Sequence, residues 1–214
     1  MKKLARQTGL IYFISAVAAI YGYAYASSQI TVAGDLASTC DNILANELLF
    51  RSGVVANVLK EILSLIVGLM LYRLFKEIDL PKARFMLSLV VDGVAVRLIA
   101  HGLNYTSLSL LKGSLLSAFV SDESLQLVYL CRKFYASTLT LAGFFCGLWL
   151  LPFGQLVYKS GFIPKIFGIL LIVGATGYVV ENLNYLLPNS PNNTIYFIAG
   201  ILYAPSESAI ILWL

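Results

Sequence analysis

Six apolar runs of roughly 20 residues, the length a helix needs to cross a bilayer, divide this chain of 214 residues: Gly9–Ser28, Val54–Tyr72, Phe85–Asn104, Gln126–Leu151, Pro164–Leu187 and Thr194–Leu214. In hydrocarbon the backbone must satisfy its own hydrogen bonds, and runs of this length do so as helices. Charged residues make up 12% of the chain, about half the share usual in soluble domains, and the mean hydropathy is +0.82. That leaves too few charged side chains to clothe a water-soluble fold and too many apolar ones for a disordered chain. The expected fold is an all-α polytopic transmembrane helix bundle, a single integral membrane domain over residues 1–214.

The segments between the runs carry loop signals: Lys76, Glu77, Asp79, Pro81 and Lys82 after the second, and Pro188, Asn189, Pro191, Asn192 and Asn193 after the fifth. Basic residues cluster in such segments, so the net charge of +4 reads as topology, and nucleic acid is not an expected partner. With the N-terminus in the cytoplasm, the inner side holds Lys2, Lys3, Arg6, Arg73, Lys76, Lys82, Arg84, Lys159 and Lys165, nine of the fifteen Lys and Arg. Arg51, Lys60, Lys112, Arg132 and Lys133 fall toward the outer side and Arg97 within a span. This bias places both termini in the cytoplasm and the protein in the cell membrane. Lys2, Lys3 and Arg6 before an apolar run ending in Ala24-Tyr25-Ala26 also fit a secretory leader with a small-residue cleavage site; a retained first span is the reading adopted.

Two segments are too short or too polar to span. Asp35–Ser52 has helical periodicity, with Glu47 and Arg51 four apart, and is expected to form a short outer amphipathic helix between spans 1 and 2. Thr106–Val120 is expected to lie in the outer interface or to re-enter from it.

Cys40, Cys131 and Cys146 show no metal spacing; Cys40 and Cys131 both fall toward the outer surface, where a disulfide is permitted, and Cys146 lies in a Gly143-x-x-x-Gly147 spacing suited to close helix approach. With His101 the single histidine, multi-histidine zinc, di-iron and bis-His haem sites drop out, and no metal or cofactor is expected. Phosphate loops and nucleophile elbows are absent from the sequence.

Ionisable side chains in hydrocarbon cost roughly 2.5–3.5 kcal/mol each even on lenient insertion scales, so they need a partner or a wet cavity. The candidates are Lys60, Glu61, Asp92, Arg97, His101, Arg132, Lys133, Glu181 and Glu207. A rise of about 1.5 Å per residue puts Lys60, Glu61, Arg97, His101 and Glu181 in one outer layer. Arg97, His101 and Asn104 share a helix face, as do Glu181 and Asn184. Asp92 and Glu207 fall at a deeper level, where two carboxylates cannot both stay ionised cheaply and one would hold a proton. Arg132 and Lys133 come near the outer boundary and are expected to snorkel to water.

The stretches Ala5-Arg6-Gln7-Thr8-Gly9-Leu10-Ile11-Tyr12, Asn42-Ile43-Leu44-Ala45-Asn46-Glu47-Leu48-Leu49-Phe50-Arg51, Gly147-Leu148-Trp149-Leu150-Leu151-Pro152-Phe153-Gly154 and Tyr158-Lys159-Ser160-Gly161-Phe162-Ile163-Pro164-Lys165 give the chain its family likeness. Through them it resembles, over nearly its whole length, an uncharacterised bacterial membrane family, domain of unknown function 4386. The resemblance implies a multi-span bacterial protein and brings no activity. It implies that Glu47 and Arg51 belong to an outer-helix motif. Glu181 stands where relatives carry an acid ahead of Leu186-Leu187-Pro188, and Glu207 where they carry Gly-Glu, although Ser206 precedes it here. Arg132 and Lys133 stand where a more neutral segment is expected.

The leading functional expectation is a polar cavity open to the outer side that binds a small or lipid-derived ligand through Arg97, His101, Asn104, Glu181, Asn184 and Glu61. Arg97 would hold an acidic group with its planar fork, Glu181 would orient it, and His101 would exchange protons near neutral pH. An enzyme reading makes Asp92 or Glu207 a metal-free general acid acting on a lipid or isoprenoid, and proton-coupled transport is a third reading. The plain alternative is that these charges only fix helix register. Expected partners are the lipid bilayer and the ligand, with a homo-oligomer left open.

Overall fold

The computed structural model describes residues 2–113, 121–186 and 192–214, and helices with short connections account for all of them. Six helical stretches among these residues are long and apolar enough to cross a membrane: Lys2–Ile30, Glu47–Phe75, Leu80–Leu111, Leu125–Ser160, Lys165–Leu186 and Asn193–Trp213. No strand occurs among the described residues, as expected for an all-α membrane protein.

The first stretch is composite, with α1 (Lys2–Ala19), a π-helical segment (Ile20–Ala26) and α2 (Ser27–Ile30) running on without a turn. Then follow α3 (Leu36–Ala45), α4 (Glu47–Phe75), α5 (Leu80–Leu111), α6 (Ser121–Ser160), α7 (Lys165–Leu186) and α8 (Asn193–Trp213). Asp35 caps α3 by accepting from the Ser38 N–H at 3.0 Å and the Ser38 hydroxyl at 2.6 Å, which hold its carboxyl below the usual carboxylate range.

Two interfacial expectations are corrected. The helical signal over Asp35–Ser52 belongs to two helices, because Asn46 leaves helical geometry at φ −120° and ψ 44°. Only α3 is a separate short helix; Glu47 and Arg51 form the first turns of α4, where an acidic residue suits the helix dipole. They do pair, with Arg51 Nε donating to Glu47 at 2.7 Å, and Lys112 Nζ adds a second cation at 2.9 Å. Likewise α5 does not end at Asn104 but runs to Leu111, closed by Gly113 at φ +66°, so Thr106–Leu111 continues a spanning helix. Residues 114–120, and the turn expected at Pro188, Asn189 and Pro191, lie outside the described residues.

The chain packs as two compact units, one from Met1–Phe13, Leu63–Ala95 and Thr140–Leu214, the other from Ile14–Ile62 and Val96–Leu139. The first has a core of Leu71, Phe75, Met86, Leu150, Phe153, Leu156, Leu171 and Ile210, with Trp149 stacked on Phe153 at 5.3 Å. Close backbone approach joins α6 to α7. A Cβ at Gly154 would sit 2.7 Å from the Gly168 carbonyl, and a Cβ at Gly168 would sit 2.7 Å from that of Gly154. Gly147 faces the Ala175 carbonyl in the same groove, so the Gly-x-x-x-Gly spacing read from sequence is a packing device. Asp79 caps α5 and accepts from Lys159 Nζ at 3.0 Å, which holds its carboxyl below the usual range; the contact persists at neutral pH and is lost only in acid.

The core of the second unit gathers Ile30, Ile43, Phe50, Val54 and Leu108, beside a smaller cluster of Cys40, Leu110 and Val128 against which Cys131 packs. Cys40 and Cys131 form no disulfide, and burial pushes the Cys40 thiol up.

Since neither backbone at the Gly154–Gly168 crossing can yield cheaply, Gly168→Leu is expected to cost about 1–3 kcal/mol. Thermal unfolding in detergent should show a clearly lowered midpoint, whereas Gly200→Leu, at a position with open space around it, should leave the midpoint unchanged.

Candidate functional site

The polar residues of the second unit converge on Glu61, which has no exposure at all. On α4, Asn57, Lys60 and Glu61 fall at helical spacings of three and four, which turns them toward one side. On α5, Arg97, His101 and Asn104 do the same. Arg97 Nε donates to Glu61 Oε2 at 2.8 Å and Lys60 Nζ to Oε1 at 3.1 Å. The Tyr23 hydroxyl also donates to Oε1, at 3.2 Å. A carboxylate in hydrocarbon is thus held by two cations and a phenol, and each of its oxygens has a donor.

Tyr23 is delivered by the π-helical segment. Widening the helix there changes the side-chain phase, and such turns are frequent at functional sites. The Tyr23 oxygen is also 2.9 Å from His101 Nε2. Because the single phenolic proton goes to Glu61, Nε2 is assigned as the donor of this bond, which makes His101 Nδ1 an acceptor. That Nδ1 is buried and has no hydrogen-bond partner. His101 is 1% exposed, beside two cations already committed to Glu61. It is placed as a hydrogen-bonding group of the cluster.

A cavity of about 30 Å³ opens beside this cluster, lined by Gly22, Asn57, Asn104, Arg132 and Tyr135, among others, with exposed Ser27 and Thr31 at its rim. Arg132 donates to Asn104 Oδ1 at 2.6 Å and to the Thr31 hydroxyl at 3.0 Å, and its guanidinium lies over the Tyr135 ring. The snorkelling expectation is therefore corrected for Arg132. Adjacent helix positions point about 100° apart, so Lys133 is exposed, over Tyr129, while Arg132 lines the cavity. Asn57 is 4% exposed and its Oδ1 has no hydrogen-bond partner; it lies against Gly22, where a Cβ would collide with it. Lys60, Arg97 and Arg132 outnumber the carboxylate of Glu61 three to one, so the region carries excess positive charge.

Of the residues expected to form one layer, Lys60, Glu61, Arg97 and His101 share the second unit, as does Asn104 from the same face of α5. Glu181 and Asn184 belong to the first unit, and Arg97 pairs with Glu61. Asn184 is a clasp at the start of α8, donating to the Asn192 carbonyl at 3.2 Å and accepting from its N–H at 3.3 Å. The deeper Asp92–Glu207 pair does not form. Asp92 lies on an exposed face of α5, while Glu207 accepts from Tyr12 and, at 2.6 Å, from Tyr178. Sequence reasoning missed Asn57, Tyr23 and Tyr135. The only signal available for Asn57 was its position one turn before Glu61; the tyrosines are common enough in apolar helices to carry none.

Spanning-length helices throughout, with a charged cluster sealed within them, define a multi-pass helical membrane protein. The chain belongs to the family described as domain of unknown function DUF4386, whose model matches residues 7–214. It is 38% identical over 66 residues to a protein of Archaeoglobus fulgidus described as an uncharacterized protein, a match covering 31% of this chain. That match spans 40% of the relative's own length. No solved structure matches the chain.

Removing one partner of a buried ion pair leaves an uncompensated charge, typically at a cost of about 3–5 kcal/mol. Glu61→Gln should therefore lower the unfolding midpoint in detergent strongly, and the double replacement Glu61→Leu with Arg97→Met should recover most of the loss. A Glu61→Gln midpoint equal to wild type would show that the pair anchors nothing.

Proposed function

We propose that this protein binds an acidic ligand at the Asn57–Arg132 cavity, its acid group on Arg132 and a hydroxyl or amine proton on Asn57 Oδ1. The single observation that carries this reading is that Asn57, whose buried Oδ1 has no donor, lines the same cavity as the Arg132 guanidinium. The size of the cavity narrows the ligand class. About 30 Å³ admits a functional group and not a whole metabolite, so the remainder of the ligand lies outside it, as the tail of a lipid would in the bilayer. A lipid-derived ligand with an acidic, hydroxyl-bearing headgroup fits best. Arg132, Asn57 and Asn104 are the contacting residues.

The positive-inside bias supports a cell-membrane location with both termini in the cytoplasm. The cavity lies toward the ends of α4 and α5 remote from the Arg73, Lys76, Lys82 and Arg84 cluster, and in that orientation it opens to the extracytoplasmic side.

Native mass spectrometry of protein extracted in mild detergent tests the proposal, with wild type compared with Asn57→Leu, Arg132→Gln and Lys133→Gln. An adduct is expected on wild type and Lys133→Gln, and its loss on the other two. Its mass separates a lipid from a free small anion, and added vesicles containing phosphatidylglycerol should restore it only in the lipid case. Wild type without any adduct, or equal adducts on all four proteins, would overturn ligand binding at this cavity.

A further inference from the structure

One end of the first unit carries most of the chain's positive charge. All nine basic residues placed on the inner side by sequence belong to this unit, and the acidic residues among them are Glu77 and Asp79. They stand at the start of α1, on the α4–α5 and α6–α7 turns, or within about one helical turn of them. Contacts bring these places together. Lys159 Nζ meets Asp79 Oδ2 at 3.0 Å, Phe162 stacks on Phe75 with ring centres 5.9 Å apart, and Ala5 of α1 is buried in the same cluster as Phe75, Ala83 and Ile163. Eight of the nine basic residues are exposed, and Lys82 is half-buried. Asp79 draws two of them to one point: its Oδ2 is 3.0 Å from Lys159 Nζ and 3.6 Å from Lys82 Nζ, while its Oδ1 accepts from the Lys82 N–H at 3.2 Å. Two ammonium groups from different turns thus share one carboxylate oxygen. One positive charge is left over, and each ammonium, with three N–H donors, keeps donors for a further acceptor.

Exposed apolar side chains alternate with these cations along the chain. Phe85 follows Arg84, Tyr158 precedes Lys159, and Ile166 follows Lys165, whose Nζ lies over the Tyr158 ring at 5.1 Å. Cations interleaved with exposed aromatic and aliphatic residues at the ends of spanning helices mark the depth of lipid headgroups. That favours a membrane lipid over a soluble acidic protein as the partner. We infer that this end of the first unit is a binding surface for anionic phospholipid, with the headgroup phosphate on Lys82 and Lys159 between the two turns. The surface shares no residue with the Asn57–Arg132 cavity, which is lined by the second unit alone. With both termini in the cytoplasm it meets the inner leaflet, whose anionic lipids attract basic residues.

The test is titration of the full-length protein in mild detergent with phosphatidylglycerol and with phosphatidylcholine, bound lipid being counted by native mass spectrometry. Arg132→Gln protein is used throughout, so that lipid held at the cavity does not enter the count and the two readings fail separately. Phosphatidylglycerol is expected to bind more tightly than phosphatidylcholine, which has the same phosphodiester but no net charge. Adding Lys82→Gln or Lys159→Gln should weaken phosphatidylglycerol binding about fivefold for the charge removed. Lys159→Arg, which keeps the charge, should retain it, and Lys133→Gln, in the other unit, should leave it unchanged. Equal affinity for the two lipids would overturn recognition by charge. Unchanged binding in both Lys82→Gln and Lys159→Gln, or an equal loss in Lys133→Gln, would overturn the placement of the surface. Displacement of the lipid by inorganic phosphate at equal concentration would make this a free-anion site and overturn the lipid as its occupant.

Discussion

A carboxylate sealed inside a membrane-spanning helix cannot stand alone, and Glu61 is the group around which the second unit is arranged. With no exposure and a guanidinium at 2.8 Å, it fixes the rotation of α4 against α5. Its remaining oxygen draws in Lys60 and Tyr23, and Tyr23 in turn holds His101. The desolvation cost of this arrangement is large, and apolar residues of similar volume would often pack as stably. Stability alone therefore does not explain why the helices carry it. What the charges supply is a fixed rotation of α4 against α5, whose Asn57 and Asn104 line a neighbouring cavity together with Arg132.

The π-helical segment Ile20–Ala26 is the local device that makes this possible. It sets Tyr23 toward Glu61 and brings Gly22 against Asn57, so that one short departure from α-helical geometry serves both the ion cluster and the cavity wall. The absence of a side chain at Gly22 is what lets Asn57 lie there, with its carbonyl oxygen left without a donor.

The fold was legible in the sequence because hydrocarbon imposes a length on apolar runs, and all six expected spans correspond to helices. Their ends were not, since a helix continues past the hydrocarbon wherever its residues allow it. Glu47–Arg51 and Thr106–Leu111 read as interfacial segments by polarity, yet they extend α4 and α5. Depth arithmetic brought Lys60, Glu61, Arg97 and His101 to one level, but depth carries no information about azimuth. Glu181, which that arithmetic put at the same level, belongs to the other unit, and Arg132 faces inward where its neighbour Lys133 does not. The partners of Glu207 were illegible for the same reason: nothing in the spacing of Tyr12 and Tyr178, far apart in the chain, says that they meet one carboxylate.

The most direct measurement is an experimental density map of the protein extracted with its native lipids, resolved well enough to distinguish water from a headgroup at the cavity beside Asn57. Density for an acidic group on Arg132, continuing outward past Ser27 and Thr31 as an aliphatic chain, is the expected result. A cavity holding water alone, bridging Asn57 and Asn104, would contradict ligand binding there and would leave the charged cluster as a means of fixing the helices.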